Sequence, residues 1–244
     1  MYGWRAKLGI MIPSVNTVME PEFGRMAPEG VSVHASRLKA EGVFGSDTLI
    51  AMAAHSEDAA EVLGHAADAL AYGCTSGSFV QGPEWDKELL ARIERVTRKP
   101  VTTTSTAVTR AMHALGLRTI AVATPYTREV NDRLAAYFEQ QGFEVLGVRG
   151  LDVTVRGGQA VYAPTTAYQL ARDVDDARAD GILISCTNFR TIEIIDALEA
   201  DLGKPVVTSN QATFWDLLRL CRISDRIPGY GRLLAEERQE VARR

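Results

Sequence analysis

Two cysteines stand in matched settings. Cys74 lies in "YGCTSGS", residues 72–78, after the apolar run "ADALA"; Cys186 lies in "ILISCTNF", residues 182–189. Each reads as the end of a buried strand, and each is followed by threonine. Two thiols flanking one substrate can act as acid and base on opposite faces. Alternatively, one attacks a carbon while the other handles a proton. Only the thiolate reacts well, and the ordinary thiol pKa is about 8.5. A lowered pKa is therefore expected, supplied by the free N–H groups of a helix starting just after the strand. "TSGS" and "TN" read as loops into such helices, with N–H and hydroxyl donors for a carboxylate or a developing enediolate. No Lys, Arg or His adjoins either cysteine, so neutral donors are expected to hold the anion. A single cysteine often only fills space. That reading suits Cys221, at helical spacing among leucines in "FWDLLRLCRI".

Other chemistries lack their residues. His34, His55, His65 and His113 are scattered, and none sits at ligand spacing with another His, Asp or Glu. CxxC and HExxH are absent, so no metal is expected. "VRGGQA" is not GxGxxG, there is no Walker sequence, and GxSxG is missing; no cofactor is expected. The net charge of -4, without a basic stripe, argues against nucleic acid and anionic membrane. No apolar stretch approaches the roughly 20 residues of a membrane span. "LGIMIP" is too short for a signal-peptide core, so a cytoplasmic protein is expected. Three cysteines, an odd number, do not suggest a disulfide framework.

The elements that must position the thiols follow from patterning. Short apolar runs ("KLGIMIP", "VSVHASRL", "ALAYGC", "PVTTTS", "TIAVATP", "FEVLGVRG", "GILISC", "PVVTSN") alternate with amphipathic segments. The segments are "SDTLIAMAAHSEDAAEVLGHAADAL", capped by Ser46 or Asp47, "PEWDKELLARIERVTR", "TREVNDRLAAYFEQQG", "APTTAYQLARDVDDARAD" and "TIEIIDALEADLG". Such alternation predicts a parallel α/β sheet. A shift of 112 residues lays Gly9–Pro13 over Ala121–Pro125 and Cys74-Thr75 over Cys186-Thr187. "KPVTTTSTA" at Lys99 and "KPVVTSNQA" at Lys204 repeat at an offset of 105. The chain reads as an internal duplication. Ligands of parallel α/β sheets bind beyond the carboxyl ends of strands. Two lobes facing across a pseudo-twofold axis would bring both cysteines, Pro13–Asn16 and Pro125-Tyr126 to one cleft.

These residues resemble a known group. The duplicated halves, each with a cysteine at a strand end, resemble the aspartate/glutamate racemase superfamily. Within it, "GIMIPSVNTVMEPEF" is similar to the maleate cis-trans isomerase signature. "YGCTSGS", "TSTAV", "ATPYTREVN" and "PGYGRLL" are also similar to the related arylmalonate decarboxylase. The resemblance implies an α/β fold of two pseudo-twofold-related, Rossmann-like lobes with parallel sheets and an active-site cleft between them. It also implies that a terminal segment crosses back, giving lobes of residues 1–100 plus 206–244 and of 101–205. It implies a cofactor-independent, metal-free enzyme acting on a small carboxylate. Cys74 would add to one alkene carbon of maleate, Cys186 would supply and retrieve a proton, and fumarate would leave. Asn16, Thr75, Ser76, Tyr126 and Thr187 match carboxylate-holding positions, with Ser14 and Asn188 nearby. Arylmalonate decarboxylase has glycine where Cys74 stands, so two thiols favour isomerisation or racemisation. The isomerases also carry an asparagine-containing segment where this chain reads "TVRGGQAVYAP", which leaves the acid undefined.

The alternatives are a racemase or an arylmalonate-type decarboxylase and, from another class, a non-catalytic carboxylate-binding protein. Loop 39–47, "KAEGVFGSD", has the glycines of a lid or of an ordinary surface connection. Apolar helix faces leave room for a homo-oligomer, though no residue specifies one.

Overall fold

A computed structural model describes residues 2–41 and 45–236. Two four-stranded parallel sheets share one topology. The first holds β1 (Ala6–Pro13), β2 (Val31–Leu38), β3 (Ala69–Tyr72) and β4 (Val101–Thr103), in the order β2-β1-β3-β4. The second holds β5 (Thr119–Thr124), β6 (Glu144–Gly150), β7 (Gly181–Ile184) and β8 (Val206–Thr208), in the order β6-β5-β7-β8. β3 and β7 are buried at every residue, as strands covered on both faces must be.

The duplication is visible bond by bond. Asp68 N–H donates to Lys7 O at 2.8 Å, and Asp180 N–H to Thr119 O at 2.9 Å. Asp68 Oδ2 accepts the Lys7 N–H and Asp180 Oδ2 accepts the Thr119 N–H. Just before the cysteines, Gly73 N–H donates to Met11 O and Ser185 N–H to Ala123 O. Each pair carries the 112-residue offset read from the sequence.

The helices are α1 (Met19–Met26), α2 (Ser46–Ala53), α3 (Ser56–Gly64), α4 (Thr75–Phe79), α5 (Pro83–Thr97), α6 (Thr104–Ala114), α7 (Arg128–Gln140), α8 (Pro164–Val174), α9 (Ile195–Leu202), α10 (Ser209–Leu220) and α11 (Arg232–Ala235). The long helix expected from Ser46 onward is two helices, α2 and α3, and its cap is Gly45. The Ser56 hydroxyl donates to Ala53 O at the break and gives that carbonyl a partner outside the helical ladder. The halves also serve different surfaces: α2 packs on α4, whereas α3 packs on β1, β2, β3 and α5.

Sheet membership crosses the expected lobe boundaries by one strand. β4 pairs with β3 although it follows residue 100, and β8 pairs with β7 although it follows residue 205. The helices after these strands do the crossing. α6 and α10 pack on each other; α6 touches β4 and β8, while α10 also reaches β3 and α1. One buried cluster therefore runs from Ile10, Ile12 and Phe23 to Val122, Leu183 and Phe214. Phe79 of α4 meets Tyr126 edge-on, with centroids 6.2 Å apart, and ties the strand ends of the two lobes together. A second cluster, including Met11, Leu63, Tyr72, Cys74 and Leu89, lies under α2, α3 and α5.

Candidate active site

Each sheet changes winding direction between its two central strands, β1 and β3 in one and β5 and β7 in the other. Ligands of such sheets bind at that switch point. The loops leaving all four strands meet at one cleft of about 580 Å³, its open mouth included. Asn16 comes from the end of β1, Cys74, Thr75 and Ser76 from β3, Tyr126 from β5, and Cys186, Thr187 and Asn188 from β7. Eight of the nine residues expected at the site thus line it. Ser14 does not: it is exposed, and its hydroxyl accepts the Ala40 N–H at 3.3 Å, steadying a wall residue instead. Of the loop expected as a lid, residues 42–44 lie outside the described residues; Ala40 and Glu41 are in the cleft wall.

Cys74 occupies the N-cap position of α4 in extended backbone. Gly73 allows the close approach of β3 to β1, because a Cβ there would stand 2.7 Å from Ile12 Cγ2 and Met19 Sδ. The Gly77 N–H and the Ser76 hydroxyl, 3.7 Å from Cys74 Sγ, favour the thiolate, but burial outweighs them and raises the pKa. Cys186 has no helix immediately behind it; a turn follows and α9 begins only at Ile195. The Asn188 N–H donates to Cys186 Sγ at 3.4 Å, and the Tyr126 hydroxyl also favours its thiolate. Burial again dominates, with the charges of Cys74 and Glu22 added, and pushes Cys186 up to about 12. The expected lowering is therefore not found at either thiol: desolvation of a buried anion exceeds what one or two neutral donors return.

The polar neighbours mainly hold the two lobes in register. Asn16 Oδ1 accepts the N–H groups of Val18 and Met19 at the start of α1, and its Nδ2 donates to Thr187 Oγ1 at 3.0 Å. The Thr187 hydroxyl donates to Gly73 O at 3.1 Å. Asn188 Oδ1 accepts the Thr17 N–H, and its Nδ2 donates to Gly157 O at 3.5 Å. Ser209, at the first turn of α10, accepts the Cys186 N–H at 3.0 Å and lies 2.9 Å from Thr75 Oγ1. Behind this layer, Glu22 is buried and accepts from Thr191 N–H, Ile192 N–H and Asn210 Nδ2. Burial raises its pKa to about 7.

Sequence reasoning missed Arg156, Gly157, Gln159, Thr48, Leu49 and Met52 in the wall. Arg156 adds a cation to the wall, while the donors at each sulfur are neutral: the Gly77 N–H and Ser76 hydroxyl at Cys74, the Asn188 N–H and Tyr126 hydroxyl at Cys186. Arg156 was hidden because it reaches the cleft from about 30 residues before Cys186 in the chain. The glycines of "VRGGQA" were the available signal: Gly157 has φ +73, the left-handed region that glycine enters freely. Cys221, read as core, is half-buried at the C-cap of α10, away from the cleft. Among the described residues no group of three or more His, Cys, Asp or Glu could hold a metal ion, and no helix is long and apolar enough to cross a membrane.

Known proteins are similar to this chain in sequence and fold. The arylmalonate decarboxylase of Bordetella bronchiseptica is 39% identical over 165 residues, 66% of this chain and 69% of that protein. The maleate isomerase of Pseudomonas putida is 28% identical over 243 residues, 94% of this chain and 97% of that protein. The solved structure of a cysteine-to-alanine variant of the maleate isomerase Iso from Pseudomonas putida S16, with maleate, matches with a TM-score of 0.92 at 26% identity. It covers 96% of this chain and 99% of that one. The family model described as arylmalonate decarboxylase matches residues 8–234. With that match, the common two-lobed α/β fold and relatives that are decarboxylases and isomerases, this chain is an enzyme of the arylmalonate decarboxylase family.

Proposed function

We propose that the protein isomerises maleate to fumarate, with Cys74 as nucleophile and Cys186 as proton donor and acceptor. The observation that carries this reading is the presence of both thiols in one cleft, each from the central strand end of a different lobe. A decarboxylation followed by protonation uses one proton donor and leaves a second thiol without a step. Addition and elimination across an alkene use both.

The sequence of steps balances. The Cys74 thiolate attacks one alkene carbon, forming a C–S bond. The π pair moves to the neighbouring carbon and into its carboxylate as an enediolate. The Cys186 S–H protonates that carbon and becomes the thiolate. The former double bond is now single and rotates. Cys186 takes a proton back, the C–S bond breaks, and fumarate leaves with Cys74 again a thiolate. In this reading Thr75, Ser76, Tyr126 and Asn16 surround the carboxylate where the enediolate charge develops. Thr187 and Asn188 act by positioning, since their side chains bond backbone groups of the facing lobe or loop.

Proton NMR of the protein with maleate in deuterated buffer tests this, wild type beside Cys74→Ser. Fumarate signals from wild type and none from the variant are expected. Maleate left intact by wild type, with carbon dioxide lost from phenylmalonate, would move the protein to the decarboxylases.

A further inference from the structure

A buried carboxylate holds the turn that carries Cys186, and the repeat puts a leucine in its place on the Cys74 side. Glu22 Oε1 accepts the Thr191 N–H at 2.8 Å and the Ile192 N–H at 3.4 Å, and its Oε2 accepts Asn210 Nδ2 at 2.6 Å. The same Asn210 amide donates to Thr187 O at 3.1 Å, and the neighbouring Ser209 accepts the Cys186 N–H. Glu22 therefore grips both ends of the turn after Cys186. Asn210 keeps its Nδ2 between two oxygen acceptors although its buried Oδ1 then has no partner among the described residues. In the other half, the 105-residue offset puts Ser105 where Asn210 stands, and the Ser105 hydroxyl makes the matching bond, to Thr75 O at 3.3 Å. The 112-residue offset puts the buried Leu134 where Glu22 stands. The repeat has kept the bond to the backbone and not the charge.

We propose that Glu22 is the positioning residue that makes Cys186, rather than Cys74, the thiol that keeps its proton: it fixes the turn after Cys186 through Asn210 and sets a negative charge on that side of the cleft. The inference rests on the reading above, in which Cys186 is the proton donor. A charge in a buried site disfavours a second anion beside it. Ionisation of Cys74 is opposed by burial, and that of Cys186 by burial and by the charged forms of Cys74 and Glu22. Burial raises Glu22 itself to about 7, so its charge develops as the pH enters the range where thiolates form. Glu193 is the charged group that bears on Glu22, and Arg25 bridges it at 2.7 Å and Arg190 at 3.5 Å. Arg37 of β2 is taken by Glu20 and by Asn16 O, and Asp216 of α10 by Arg110.

Labelling of Cys186 by methyl methanethiosulfonate in a Cys74→Ser, Cys221→Ala background, followed by mass spectrometry, tests it. With Glu22 present, the logarithm of the rate should rise with a slope below one between about pH 6 and 8, where the carboxylate ionises, and near one above that. Glu22→Gln should straighten the profile. It should speed labelling roughly three- to tenfold at pH 9 and change it less than about twofold at pH 6. Cys74, labelled in a Cys186→Ala, Cys221→Ala background, should respond to Glu22→Gln by less than about twofold at either pH. A straight profile with Glu22 present, an acceleration equal at pH 6 and pH 9, or one shared by both thiols would overturn the assignment. The first of these needs no change at Glu22, so it decides even where Glu22→Gln does not fold. Because labelling needs no substrate, a protein that shows the bend but makes no fumarate defeats only the isomerase reading.

Discussion

The two cysteine-bearing strand ends are copies of one design that have diverged in the residues just after the thiol. After β3, Cys74 caps a helix directly, with the Gly77 N–H and the Ser76 hydroxyl turned to its sulfur. After β7, Cys186 meets a turn, spends its own N–H on Ser209, and has its ionisation opposed by the charged forms of Cys74 and Glu22. Both thiols are raised by burial, and Cys186 is raised further by the charged forms of Cys74 and Glu22. In the proposed reaction, two like groups whose surroundings differ in this way divide the labour of acid and nucleophile. The lesson is that a duplicated scaffold equalises position, while the residues just beyond the strand set reactivity.

The largest test removes each thiol in turn. Cys74→Ser and Cys186→Ala should each lower kcat/KM for maleate by roughly a thousandfold, because each deletes a bond-making or proton-transferring group. Circular dichroism should show an unchanged fold. Comparable activity in either variant would break the division of labour.

Glu22 offers the next largest effect, on stability. Its folded pKa, raised from 4.5 to about 7, means that the folded state keeps a proton the unfolded chain loses. The associated stability is complete below 4.5 and is lost as pH rises through about 7. The loss amounts to about 3 kcal/mol. Urea unfolding across that range should show it in wild type, and Glu22→Gln should flatten it. An unchanged slope in the variant would remove Glu22 from the account.

The pH profile of turnover sharpens the comparison of the thiols. With Cys74 raised by burial above the ordinary thiol range, the thiolate is the minor form at neutral pH. Turnover should therefore climb about tenfold per pH unit from 7 towards 9. A flat profile would require the nucleophile to be ionised already. The smallest effect belongs to Cys221→Ala: the thiol is half-buried outside the cleft, so kcat/KM should stay within about twofold of wild type.

How far the chain could be read depends on the physical origin of each feature. The strands, the parallel class and the repeat depend on local patterning, and "GILISC" or "ALAYGC" declares a buried strand by composition alone. The paired thiols, Asn16, Thr75, Ser76, Tyr126, Thr187 and Asn188 were legible because each stands within a few residues of a strand's carboxyl end. The break between α2 and α3 was not, since the apolar spacing continues through Ala54 and His55. It arises from the two surfaces those helices cover.

Two like α/β halves and the strand ends that present the paired thiols follow from the chain's patterning. Periodicity and offset are properties of the chain, and survive without knowledge of what packs on what. Packing set the rest: β4 and β8 stay with their own sheets while α6 and α10 pack across them, Ser14 is outside the cleft, and Arg156 and Gln159 line it. It also decided that both thiols are raised rather than lowered. The reason is the same in each case: burial and proximity between residues distant in the chain are set by packing, and desolvation acts on the packed site.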